Sequence, residues 1–412
     1  MTMGTPQPTR KLYREDSYVS IFEASIVGVQ HENGILQVQL DKTHFYPTAG
    51  GQANDLGWLE TQNANFKVID VHESKSEAVV THVLEPNGWL EVGARVRGTI
   101  DWARRFDLMQ QHTGEHILGQ AFFRLNAHVM AVNMESAVCT IDLEETIDET
   151  VALEAERIAN QAIWANHPVS CLELPEVEAR SLPLRREPKV SGVIRVVQIG
   201  DYDYSACGGT HLRASGEVGM LKILKLERVK GGATRVFFIC GERCLTDYRW
   251  KHTFISDLGL RFSSALENVP KRTQAALEEA NQLRREATRL RARYAEALVE
   301  TLQPNLRLGN TNVYAIELED AAMLSDVVKV FAARTNAVGA VGACTPDKAM
   351  VAVVCGPGSG ENASNLLKLA LPHIDGRGGG KPDVAQGSGA KLEGLQHALN
   401  AILNALDPQM KR

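Results

Sequence analysis

Gln110-Gln111-His112-Thr113-Gly114-Glu115-His116-Ile117-Leu118 is the stretch whose reading decides the fold. It sits in a run from Asp101 to Arg124 where Leu108, Met109, His112, His116 and Leu118 show many three- and four-residue spacings, which predicts a helix. Residues four apart share a helix face, so His112 and His116 project side by side. A second pair of ligand types, Cys207 and His211, lies in Ser205-Ala206-Cys207-Gly208-Gly209-Thr210-His211-Leu212, where two glycines argue for a turn. Two histidines, a thiolate and a third histidine make a borderline-soft set that suits zinc and is poor for magnesium or calcium. Each pair alone has an ordinary alternative: a packed or surface histidine pair, or a small buried cysteine. Together, with ligand spacing, they favour one Zn2+ per chain.

A third stretch is Asp41-Lys42-Thr43-His44-Phe45-Tyr46-Pro47-Thr48-Ala49-Gly50-Gly51-Gln52, followed by Asp55-Leu56-Gly57. The three stretches, in this order, resemble the editing domain of alanyl-tRNA synthetases and the free-standing AlaX proteins of the long form. The resemblance runs from Val19 to Tyr248. It implies a hydrolase acting on the aminoacyl ester at the 3′ end of mischarged tRNA(Ala), with serine or glycine as the wrong amino acid. It also implies roles for two further residues. Thr43 matches the threonine thought to contact a serine hydroxyl, against the ordinary reading of a packed strand threonine. Gln52 ends the glycine segment and would position the ester or the terminal ribose. Thr48 and Ala49 depart from the family, where Glu and Gly are commoner, which leaves the amino-acid selectivity open. Four side-chain ligands close a tetrahedron, whereas catalysis needs an open position. Either a ligand loosens, or the ion orients the tRNA end. Glu115 is a poor candidate base, because one helical step turns it about 100° from His116.

Around these motifs the chain is β-rich from Val19 to Ile100. Strand patterns occur at 35–40, 78–84 and 92–100, with turns at Asn33-Gly34 and Pro86-Asn87-Gly88, which suggests a small barrel. Beyond the first helix, strands are expected at 139–143, 190–199, 219–229 and 234–240, with a helix over 150–166. The fold expected is therefore an α+β editing domain (101–250) with an N-terminal small β-barrel subdomain (15–100). A helical, coiled-coil-like linker (255–302) and a C-terminal α/β domain (305–412) follow.

In the linker, Ala276, Ala280, Leu283, Ala287, Leu290, Tyr294 and Ala297 alternate by four and three, which is heptad spacing. It serves equally as an intramolecular hairpin, a homodimer contact or a lever between domains. The C-terminal region carries Gly376-Arg377-Gly378-Gly379-Gly380-Lys381-Pro382. A Walker loop would need glycine at Asp375 and Ser or Thr at Pro382, so that reading fails. The segment resembles the glycine-rich stretch of the C-terminal domain of alanyl-tRNA synthetases, which implies tRNA binding. Read as a loop, it offers backbone amides that can hold phosphates beside Arg377 and Lys381.

Composition sets the outer bounds. The 412 residues are 44% hydrophobic and 23% charged, with net charge −6, so a polyanion must be met by local basic patches. These are Lys222, Lys225, Arg228, Lys230 and Arg235, the helix around Arg284 to Arg293, and the glycine segment. A charged helix face is usually just solvated. Seven cysteines without framework spacing, a polar start at Met1 to Arg14 and no long apolar run point to a cytoplasmic protein. Only 111 residues precede His112, too few for an ATP-dependent core, so editing in trans is expected. The competing readings are a tRNA-binding module with structural zinc, and one subunit of a split synthetase.

Overall fold

The computed structural model describes residues 8–407 apart from 33, 34, 75, 77 and 189. The Asn33-Gly34 turn lies outside the described residues. Two compact units divide the chain, Met1–Asp257 and Leu258–Arg412.

The first unit begins with six strands: Ile21–Glu32 (β1), Ile35–Leu40 (β2), Gly57–Glu60 (β3), Asn65–Ser74 (β4), Val79–Leu84 (β5) and Arg95–Ile100 (β6). They close in the order β1-β2-β5-β4-β3-β6, giving the small barrel expected from the alternating pattern. Its core is Phe22, Ile26, Val38, Leu40, Phe45, Leu59, Phe66 and Val68 with their neighbours. Closure removes the exposed sheet edges that short antiparallel strands would otherwise present.

Helix α1 (Trp102–Arg124) follows at once, capped by the Asp101 carboxylate, which accepts from Arg104 N at 3.1 Å; such a cap stabilises by ~1 kcal/mol. It ends at Asn126, whose φ of 57° is the left-handed conformation asparagine tolerates. Next come Val129–Asn133 (β7), Cys139–Leu143 (β8), Glu149–Trp164 (α2), Val169–Pro175 (β9), Glu176–Ser181 (α3), Val193–Ile199 (β10), Asp203–Ala206 (β11), Leu221–Arg228 (β12) and Thr234–Cys240 (β13). One sheet has the order β12-β13-β8-β7 and the other β9-β10-β11. The core between α1, α2 and the larger sheet holds Met109, Ile117, Leu118, Phe122, Ile141, Ala155, Ile163, Val236 and Phe238. The Asn160 side chain, on α2, exchanges two hydrogen bonds with the Leu221 backbone at 2.8 and 3.0 Å, tying α2 to β12.

Helix α4 (Glu242–Arg261) was not expected from the sequence. Its Tyr248, Trp250 and Phe254 stand in solvent, so no core-facing stripe announces it. The linker segment 255–302 is therefore two helices, α4 and α5 (Val269–Thr301), with a break at 262–268.

In the second unit α5 is followed by Leu306–Leu308 (β14), Thr311–Leu318 (β15), Leu324–Ala333 (α6), Ala337–Cys344 (β16), Ala349–Cys355 (β17), Ala363–Ala370 (α7), Gly376–Gly380 (β18), Val384–Gly389 (β19) and Leu395–Leu406 (α8). The six strands run β14-β15-β16-β17-β19-β18, packed on α6, α7 and α8, which is the α/β class expected. The glycine-rich segment is not a loop. It forms the edge strand β18, paired antiparallel with β19. A side chain at Gly378 would put its Cβ 2.4 Å from the Gln386 carbonyl and the Gly387 Cα, so the hairpin needs glycine there. Among the described residues no helix is long and apolar enough to cross a membrane.

Candidate metal centre

Helix α1 delivers His112 and His116, and the turn after β11 delivers Cys207 and His211. Their ligand atoms all lie within 4.8 Å of one another. Cys207 Sγ is 3.3 Å from His112 Nε2 and 3.5 Å from His211 Nε2. A tetrahedral ion with Zn–S and Zn–N bonds of ordinary length would set these separations at roughly 3.5 Å.

Each imidazole is held by its other nitrogen. His112 Nδ1 donates to Gln52 Oε1 at 2.6 Å, and His116 Nδ1 donates to the Asp203 carboxylate at 3.2 Å. His211 Nδ1 is 3.3 Å from Thr113 Oγ1, which also accepts from Leu212 N. All three Nε2 atoms are thereby turned toward Cys207, the outer-shell arrangement that orients metal-ligating histidines. The holders are themselves held. Gln52 donates to Thr210 Oγ1 at 2.8 Å, and Asp203 accepts from Ser205 Oγ at 2.9 Å with Arg185 Nε 3.6 Å away. The turn leaves no room beside His112: a Cβ at Gly209 would lie 2.2 Å from the His112 ring.

The charges agree with a ligand set. Burial alone would raise the Cys207 thiol, but the His112 charge and hydrogen bonds from three histidines hold it well below the ordinary thiol range. Burial opposes charging His116, and Asp203 and Cys207 overcome it, holding its pKa at about 10. Burial and the neighbouring His112 push His211 well below the usual range. The cluster thus contains a thiolate and a proton on His116 that a metal would displace. The donor set, its spacing and its fixed tautomers fit a metal ion.

Gln52 is fully buried and committed to His112 and Thr210, so what it visibly positions is a ligand of the cluster. Thr43 is also fully buried; its hydroxyl contacts His82 Nε2 at 2.9 Å and accepts from Phe45 N at 3.0 Å. Arg228 and Lys230 are exposed on the first unit, whereas the Arg235 fork is engaged with Asp142 at 2.7 and 2.8 Å. Arg377 and Lys381 are exposed on the second unit.

Sequence reading missed several supports. Asp203 and Ser205 alternate along the strand that leads into Cys207, a signal that a ligand-orienting carboxylate was near. Arg105 and Asp55, both fully buried, pair side chain to side chain, with Arg105 Nε 2.9 Å from Asp55 Oδ1. Arg105 also donates to the His44 carbonyl at 2.5 Å and to the Ser17 carbonyl at 2.8 Å. This pair joins the 44–55 segment to α1, and its two halves are fifty residues apart in sequence.

The chain matches two family models: residues 194–237 match the threonyl and alanyl tRNA synthetase second additional domain, and residues 15–104 the class II (A) tRNA synthetases. It is 31% identical over 407 residues to the alanine–tRNA ligase of Pyrococcus abyssi, covering 97% of this chain and 44% of that protein. The alanine–tRNA ligase of Archaeoglobus fulgidus is 32% identical over 410 residues, with 97% and 44% covered. The chain is thus related to alanyl-tRNA synthetases and spans less than half the length of these relatives. The C-Ala domain of Aquifex aeolicus alanyl-tRNA synthetase aligns over 24% of this chain and 95% of its own, at 21% identity and a TM-score of 0.22. That last likeness is too slight to carry structural weight.

Proposed function

We propose that this chain hydrolyses, without ATP, the ester of tRNA(Ala) mischarged with serine or glycine. The ion proposed for His112, His116, Cys207 and His211 is zinc. The observation that carries the reading is the convergence of three oriented Nε2 atoms on one thiolate in a chain related to alanine–tRNA ligases. Bound there, the ion would supply Lewis acidity toward an ester carbonyl.

The chain's own residues supply the rest. Gln52, Asp203 and Thr113 fix the rings, so the cluster keeps its shape before a substrate arrives. Thr43 is the proposed reader of the amino acid. Burial lowers the His82 pKa to about 4, so its ring is neutral. Its Nδ1 faces the Val38 carbonyl at 3.2 Å and must donate, which leaves Nε2 to accept the Thr43 hydroxyl proton. With Phe45 N on one lone pair, Thr43 Oγ1 keeps one more for a serine hydroxyl. Alanine has no such donor, and discrimination follows. Arg228, Lys230, Arg235, Arg377 and Lys381 are the proposed tRNA contacts, with Arg235 sharing its charge with Asp142.

Hydrolysis of Ser-tRNA(Ala) beside Ala-tRNA(Ala), by metal-loaded protein without ATP, tests the proposal; no release of serine would refute it. Thr43→Val should keep the metal and lose ~1–3 kcal/mol of discrimination. The closed set of four ligands also suits a structural metal in a tRNA-binding module or a split synthetase subunit. Tight tRNA binding without hydrolysis would favour that second reading.

A further inference from the structure

We propose that Arg14 forms a phosphate subsite at the mouth of the metal cluster, taking the phosphodiester that precedes the terminal adenosine. The inference rests on the hydrolase reading above and adds a residue to it. Cys207 is the accessible member of the cluster: His112, His116 and His211 are each 3% exposed, whereas Cys207 is half-buried. Gly208, next along, is exposed. The nearest atom to a Cβ placed on Gly208 is Arg14 Nη2, at 3.9 Å, with nothing else within 4 Å. A guanidinium therefore stands over the backbone beside Cys207.

Arg14 is held where it is but left without a carboxylate. Its segment pairs Arg10–Lys11 with Lys42–Thr43 on one side. On the other, Tyr18 donates to Glu217 at 2.6 Å and accepts from Arg213 N at 3.0 Å. Between these anchors Tyr13 packs edge-on against Tyr46, with ring centroids 5.2 Å apart. Arg10 and Lys11 are ion-paired with Glu15 and Glu73. Arg14, exposed, has no carboxylate partner among the described residues. Arg195, 9% exposed, donates to the Cys207 carbonyl at 2.8 Å, and its Nε has no partner among the described residues. The Cys207–Gly208 backbone is thus flanked by two guanidinium groups, of which Arg14 is the exposed one.

The substrate chemistry decides which anion Arg14 meets. In an aminoacyl ester the amino acid's carboxyl is consumed and its amino group is cationic. The nearest negative charge to the ester is the phosphate on the 5′ side of the terminal nucleoside. A guanidinium fork fits that group in two-pronged fashion.

The test uses a short RNA ending in CCA, made with either a normal or an uncharged methylphosphonate link before the last adenosine. Metal-loaded full chain should bind the uncharged version roughly tenfold more weakly, the scale of one charged hydrogen bond. Arg14→Ala should bind both versions alike, with a salt slope shallower by about 0.7, the value for one single-strand phosphate. Arg14→Lys should recover part of the difference. Equal metal content in all three proteins shows that the cluster is intact. If wild type ignores the uncharged link, or Arg14→Ala still distinguishes it, the subsite is wrong. Hydrolysis of a seryl ester is scored separately. RNA discrimination without hydrolysis keeps the subsite and removes the hydrolase reading; hydrolysis without discrimination does the reverse.

Discussion

Helix α1 buries Gln110, Gln111, His112, Thr113, Glu115 and His116 nearly in succession, whereas α5 leaves Leu277, Leu283, Leu290 and Tyr294 in solvent. In α1 every residue from 108 to 119 is buried. Polar groups taken from water need partners, and most of these have them. Gln110 donates to the Glu217 carbonyl, Gln111 bridges the Cys240 backbone, and the histidines have Gln52 and Asp203. In α5 only Val269, Ala295 and Val299 are buried. Polarity and burial are decoupled in both helices, in opposite directions. A polar residue inside α1 marks a network that a site requires. An apolar residue on α5 marks a surface with no cover among the described residues.

The strongest way to break the comparison is to remove two ligands. Cys207→Ala/His211→Ala should lose its metal entirely, against about one ion per wild-type chain from the closed four-ligand set. It should also melt far earlier, because its buried polar groups lose the centre they converge on. Metal analysis of protein purified without added metal reads this; unchanged content would dismiss the cluster as a metal site.

A second effect tests the same rule in the barrel. The folded pKa of His82, about 4, lies below its ordinary value of 6.5, and the group is fully buried. Above pH 6.5 the ring is neutral folded or unfolded, and its full stability is present. As pH falls from 6.5 to 4 only the unfolded chain takes the proton. Stability should then drop by on the order of 3 kcal/mol, the free-energy equivalent of that gap between the folded and unfolded proton affinities. Urea titrations at pH 7 and pH 4 should show a smaller drop in His82→Gln than in wild type. Equal drops would place the acid sensitivity elsewhere.

Next in size is Asp203→Asn, which keeps the shape but not the charge behind His116. Burial would raise the Asp203 carboxyl, and Arg185 and His116 bring it below the usual range, so the charged form is the one removed. Metal affinity is expected to fall 10–100-fold, the usual scale for an outer-shell partner. A chelator competition measures it, and wild-type affinity would mean that Asp203 serves only packing.

These cases show what could be read in advance. The four residues of the cluster, His112, His116, Cys207 and His211, were legible because short local spacings carried them. Their supports were not read as such: Gln52, singled out for the ester or ribose, and Asp203, not singled out, reach the rings from elements 60 and 87 residues away. The barrel was legible from alternation and closely spaced turns. Strand β16 was not, because Ala-Val-Gly-Ala-Val-Gly-Ala-Cys is small and apolar throughout and shows no alternation. Helix α4 escaped because its aromatic residues face water. The glycine run read as a loop, since a glycine-rich strand has no side chains to show its period.

The smallest expected effect is on α5. Leu283 and Leu290 are 57% and 55% exposed, so truncating either removes little buried surface. Leu283→Ala and Leu290→Ala should each change the stability of the single chain by at most about 0.5 kcal/mol, as surface substitutions do, with alanine's helix propensity offsetting part of any loss. Ile117→Ala on α1, fully buried, should cost about 2–5 kcal/mol by contrast. Melting curves of all three variants at low and high protein concentration make the comparison direct. A loss on α5 approaching that of Ile117→Ala, and growing with concentration, would mean that the heptad seam is covered by a second chain in solution. The contrast between the helices would then be one between a site buried within a chain and a seam buried between chains.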